Sequence, residues 1–158
     1  MLKVKISSVD PYSKVLSLQS PACRGGWENC EFFIDTHTPN CDYWITFNNL
    51  PEKEFGFCSR ENTILVTTEP YNVHKYSKKY LQQFGAIITA QEELHHYHAI
   101  KTHQLLGWWV NKSYDDLMMM NPINKSALIS LVVSNKRITR EHELRYQFAL
   151  GLKDYFGD

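Results

Sequence analysis

The stretch 63–90 constrains the fold of this chain more than any other. Ile64-Leu65-Val66 is a short apolar, β-prone run of the kind that makes a strand buried on both faces. It stops at Thr67-Thr68-Glu69-Pro70. Tyr76, Tyr80, Leu81 and Phe84 then recur at helical spacing, which predicts an amphipathic helix over 76–84 with Gly85 as its C-cap. Ala86-Ile87-Ile88-Thr89-Ala90 reads as the next buried strand. Strand, helix and strand in succession over about 30 residues are what a parallel βαβ unit requires. The class expected is α/β.

Glu69 falls at the strand end. The following proline has no N–H and disfavours helical angles in the residue before it, so Glu69 is expected to be extended where the chain turns out of the sheet. Ligands of open α/β sheets bind outside the carboxyl ends of the strands, where a carboxylate can act as a general base. A solvated loop acid, or an N-cap partner of the next helix, is the plainer alternative.

Lys plus Arg and Asp plus Glu both number 17 among the 158 residues, so no excess positive charge exists to collect phosphates. Nucleic acid is not an expected partner. The first ten residues hold neither an apolar signal core nor the beginning of a membrane span, so the expectation is a cytoplasmic protein with no transmembrane segment. Cys23, Cys30, Cys41 and Cys58 lack the paired short spacings of a zinc ribbon and read as reduced thiols, two disulfides being the alternative were the chain exported.

Leu2-Lys3-Val4-Lys5-Ile6 alternates with the period of a half-exposed first strand. From 7 to 26 the chain is polar and proline-interrupted, and Arg24-Gly25-Gly26-Trp27 reads as a turn, its Trp packed over the sheet or offered to a sugar or phosphate. The stretches 31–35 and 42–47 are strand candidates, the second ended by Asn48-Asn49-Leu50-Pro51. His95, His96 and His98 cannot all face one ion from a helix and there is no HExxH, so they read as a polar surface segment, and no metal is expected.

Leu105-Leu106-Gly107-Trp108-Trp109-Val110 is apolar enough to pack back onto the sheet. The stretch 111–124, with Met118-Met119-Met120 and Asn121-Pro122, suits an interdomain linker. A fresh strand is expected over 127–133, then a polar loop over 136–142 and a helix with Leu144, Phe148, Leu150 and Leu152 on one stripe. One strand and one helix cannot bury both faces of a sheet, so this second unit reads as incomplete.

Thr68-Glu69-Pro70, the stretch 76–89, and Leu131-Val132-Val133-Ser134-Asn135 followed by Arg145 and Phe148 together resemble glycosyltransferase family 10. That family comprises the α-1,3/1,4-fucosyltransferases and fucosyltransferase-like proteins of bacteria and phages. The resemblance runs from about Asp42 to the end of the chain, and its most specific part is the Val-Ser-Asn strand end with Arg145, Phe148 and Leu152 behind it. It implies two Rossmann-like domains in the GT-B arrangement: an acceptor-side domain over 1–122 and the start of a nucleotide-sugar domain over 123–158. The implied reaction is inverting transfer of a fucose-like sugar from a GDP-sugar to a glycan hydroxyl.

By that resemblance Glu69 matches the general base, Arg145 an arginine beside the donor diphosphate, and Ser134 and Asn135 donor contacts, with Arg137 and Arg140 as alternatives for the arginine. The family's later Phe-Glu-Asn donor motif has no counterpart here. The expectation is therefore a chain lacking most of the donor domain and weakly active by itself. A non-catalytic glycan-binding module is the alternative, with Trp27, Trp44, Trp108 and Trp109 to stack on sugar rings.

Overall fold

A computed structural model describes residues 1–8, 12–38, 40–103, 105 and 109–157. The chain divides into two units, Met1–Met120 and Asn121–Asp158.

The first unit is built on one seven-stranded sheet. In chain order its elements are β1 (Leu2–Ser7), α1 (Tyr12–Leu18), β2 (Gly26–Trp27), β3 (Cys30–Ile34), β4 (Tyr43–Phe47), β5 (Thr63–Val66), α2 (Lys78–Leu81), β6 (Ala86–Thr89), β7 (Ala99–Lys101) and α3 (Tyr114–Met118). The strand order is β2-β3-β1-β4-β5-β6-β7, and every pairing is parallel except the short β2–β3 hairpin. This is an α/β fold with a mostly parallel sheet.

From β1 the chain goes to β3 on one side, returns to β4 on the other, and then advances through β5, β6 and β7. The direction of winding therefore reverses between β1 and β4. That reversal opens a crevice at the carboxyl ends of the two strands.

Parallel register puts directly paired residues on one face of the sheet. Ser7 pairs with Thr46, Thr46 with Leu65, and Leu65 with Ile87. One step back, Lys5 pairs with Trp44 and Trp44 with Thr63. Over β5 and β6 this face is apolar. Leu65 and Ile87 pack there with Leu81, Phe84 and Leu94, and Tyr76 and Tyr80 lie against them. Over β1 and β4 the same face is polar, and Glu54, from the connection between β4 and β5, reaches Lys5 and Ser7 on it.

Six local expectations are corrected. The helix expected over 76–84 is the single turn α2, because Ser77 caps it at one end and the Arg60 guanidinium takes the Gln82 carbonyl at the other (2.7 Å). Gly85 is not a left-handed cap. A Cβ there would collide with the backbone of Arg60 and Glu61, so glycine is required by close approach. β1, expected half-exposed, is buried from Val4 to Ser7 because strands flank it on both sides. The region 7–26 contains α1, and the expected linker contains α3, closed by a Ser113–Asp116 capping box. Of the apolar stretch 105–110, the described residues Leu105, Trp109 and Val110 are exposed, and 106–108 lie outside the described residues.

In the second unit the strand expected over 127–133 does not form. An apolar run becomes a strand only where neighbours take up its backbone N–H and C=O groups, and no strand is described within 121–157 to do so. Leu128, Ile129, Leu131 and Val132 are exposed. The expected helix is α4 (Arg140–Phe156). It begins inside the anticipated loop because Thr139 and His142 form a reciprocal cap.

Candidate functional site

The carboxyl ends of β1, β3, β4 and β5 carry two adjoining sets of polar side chains. The first surrounds Glu69. Beyond β5 the chain is pinned by Asn48, at the end of β4, whose Oδ1 accepts from the Thr68 backbone N–H (2.9 Å) and the Tyr76 hydroxyl (2.9 Å). Its Nδ2 donates to Thr68 Oγ1 (2.6 Å), and its carbonyl accepts from the Tyr80 hydroxyl (2.7 Å). Asn48 has φ 55°, a left-handed conformation that asparagine tolerates better than most residues. The Glu69 carbonyl accepts from Gln91 Nε2 (2.6 Å) while its side chain is exposed. The backbone is thus fixed and the carboxylate left to solvent.

Tyrosine chemistry follows from this packing. Burial raises the Tyr76 hydroxyl well above its ordinary value, helped by the neighbouring Tyr80 and the Glu69 charge. Burial pushes Tyr80 up to about 12. Both stay protonated and serve Asn48 as donors across the physiological range.

The second set lies at the switch point between β1 and β4. Lys5 is 2 % exposed, and its ammonium meets Glu54 Oε2 at 2.7 Å and lies 4.0 Å from the centre of the Trp44 ring. Ser7, fully buried, donates from Oγ to the same Glu54 oxygen (2.8 Å) and accepts from Trp44 Nε1 (2.9 Å). Beside them a crevice of about 340 Å³ is lined by Lys5, Asp35, Thr36, His37, Lys53 and Glu54. Asp35, just past β3 with φ 47°, accepts from Ser8 N (2.7 Å) and Ser8 Oγ (2.8 Å). A larger cavity of about 520 Å³, also lined by Lys53, Glu54 and Phe55, runs between Trp44, Thr46, Tyr80 and Phe84.

Of the residues singled out from sequence, Glu69 lies in a bend three residues past Val66, the last residue of β5. Ser134 and Asn135 are exposed in the irregular stretch before α4, not at a strand end, and Arg145 is exposed on α4. Arg137 is engaged, its Nε 3.6 Å from Glu143 and its guanidinium 4.0 Å from the Tyr146 ring centre. Trp27 is 42 % exposed and meets Tyr114 edge to face. Among the described residues no three His, Cys, Asp or Glu side chains converge to hold a metal ion, and no helix is long and apolar enough to cross a membrane.

Sequence reasoning passed over Lys5, Ser7, Glu54 and Asn48. A lysine alternating with apolar residues looks like an outward-facing position until its strand is known to be central. Asn48-Asn49 carried a usable signal, since Asn favours left-handed turns at strand ends.

No family model, curated protein or solved structure matches this chain. Fold and site define it as an α/β protein whose parallel sheet has a polar switch-point crevice and a solvent-facing carboxylate two strands away.

Proposed function

We propose that this chain is the acceptor-side part of an inverting, fucosyltransferase-like glycosyltransferase that uses a GDP-sugar donor. Met1–Met120 is read as the Rossmann-like half of a GT-B enzyme. The observation that carries this reading is the placement of Glu69, whose side chain is exposed just beyond β5 while Gln91 Nε2 holds its own carbonyl and Asn48 holds the backbone N–H of the preceding Thr68. A general base needs this combination of fixed origin and open approach.

In the proposed step Glu69 takes the proton of an acceptor hydroxyl as that oxygen attacks the anomeric carbon. The bond from that carbon to the diphosphate breaks on the opposite face, inverting the centre, and the electron pair leaves with GDP. Arg145, Ser134 and Asn135 are the residues proposed to meet the donor diphosphate, where a guanidinium offsets the charge that grows on departure. Four free thiols, Cys23, Cys30, Cys41 and Cys58, suit a reducing, cytoplasmic location.

The test is turnover of GDP-fucose with galactoside and N-acetylglucosamine acceptors by the full-length protein. Glu69→Gln is expected to lower the rate by about 10² or more. Wild-type rates in that variant remove Glu69 from the role, and failure to turn over any nucleotide sugar removes the reading itself.

A further inference from the structure

The Lys5 cluster is not used by the chemistry proposed at Glu69, and its construction is unusual for the centre of a parallel sheet. Strands buried on both faces are normally apolar throughout, and a buried ion pair seldom adds stability over packed hydrocarbon. Yet β1 directs an ammonium and a hydroxyl to its covered face, beside the reversal where open α/β sheets take their ligands. The anion that answers them comes from a segment without regular structure, 51–56, and the Glu54 side chain is itself 34 % exposed.

Three features suit this cluster to an anion. The Lys5 ammonium and Ser7 hydroxyl converge on one oxygen, Glu54 Oε2, at 2.7 and 2.8 Å. Because Ser7 Oγ accepts from Trp44 Nε1, the serine proton is directed at that oxygen, so the hydroxyl is committed as a donor. The crevice alongside is large enough for a small ligand and carries Lys53 and His37, while its one other acid, Asp35, is engaged with Ser8.

We propose that Lys5 and Ser7 form the floor of a binding site for the oxyanion group of a small ligand, a carboxylate or phosphoryl oxygen, which the Glu54 carboxylate fills from within and must vacate. With Glu54 displaced, the crevice keeps Lys5 and Lys53 against Asp35, a net positive site. The 51–56 segment, with exposed Phe55 beside Gly56, is the part that moves. This site stands whether or not Glu69 is a catalytic base.

The experiment compares the full chain with Glu54→Gln and with the double variant Lys5→Met/Glu54→Gln. Inorganic phosphate and glucuronate are titrated at matched ionic strength, with melting temperature as readout. Removing the internal competitor is expected to tighten binding of at least one anion about tenfold, and removing Lys5 as well to abolish the gain. A gain with phosphate alone identifies a phosphoryl ligand; a gain with glucuronate alone identifies a carboxylate. Equal gains in both variants, or none in either, overturn the proposal.

Should Glu54→Gln not fold, the wild-type chain answers directly. The Trp44 indole N–H resonance is expected to move on anion addition, since its acceptor Ser7 changes partner. An unmoved resonance at saturating anion overturns the site.

Discussion

One face of the sheet is finished in two different ways, and the contrast separates an apolar core from a buried polar pairing. Over β5 and β6, Leu65 and Ile87 are fully buried beneath Leu81, Phe84 and Leu94. Over β1 and β4, a few ångströms along the same rows, Lys5, Ser7 and Thr46 are as deeply buried, but beneath a loop held by a charge. Burial in the first region is a source of stability. In the second it costs desolvation that only the pairing offsets, which is why the proposed anion site is placed there.

The largest effect expected from breaking this comparison is on the apolar side. Leu65→Ala should cost about 2–5 kcal/mol in chemical unfolding, because the side chain leaves a void with nothing positioned to fill it. On the polar side the two partners should be unequal. Glu54→Gln leaves the Lys5 ammonium buried without an anion and should cost about 3 kcal/mol. Lys5→Met should cost about 1 kcal/mol or less, since Glu54 already reaches solvent and can turn outward. Equal costs would mean that the pair is a simple pin.

A smaller effect is expected where the two regions meet. Asn48→Ala removes the acceptor of Thr68 N and Tyr76 and puts a left-handed φ on alanine, for a loss of about 1–2 kcal/mol by denaturant melts. Tyr80 sharpens this with pH. Its folded value lies at about 12 against an ordinary 10.0, so the protonated form is the one the fold prefers, and its contribution is complete below about pH 10 and lost as pH rises through 12. Tyr80→Phe should flatten that alkaline decline. Smallest of all, Glu69→Gln should leave the melting temperature unchanged, because only its backbone carries structure.

The apolar runs make a second contrast, and it shows how much of the fold and site was legible in advance. Thr63–Val66 and the stretch 127–133 have the same β-prone character, but the first lies between β4 and β6 while the second has no described strand beside it. Periodicity reports which residues prefer a strand, not whether partners exist. Glu69 was legible because a carboxylate followed by proline after an apolar run marks a strand end by local chemistry alone. Lys5 and Glu54 were not, since 49 positions of chain separate them and nothing near either one names the other.

The order of residues by itself determined the strands β1, β3, β4, β5 and β6, the α/β class, and the place where Glu69 leaves the sheet, because these rest on side-chain alternation and backbone angles within a few neighbours. Only the tertiary structure decided that β1 lies inside the sheet, that the winding reverses beside it, and that a lysine read as surface became the floor of a crevice. Burial and ion pairing belong to residues brought together across the chain, and parallel pairing always joins positions far apart in sequence.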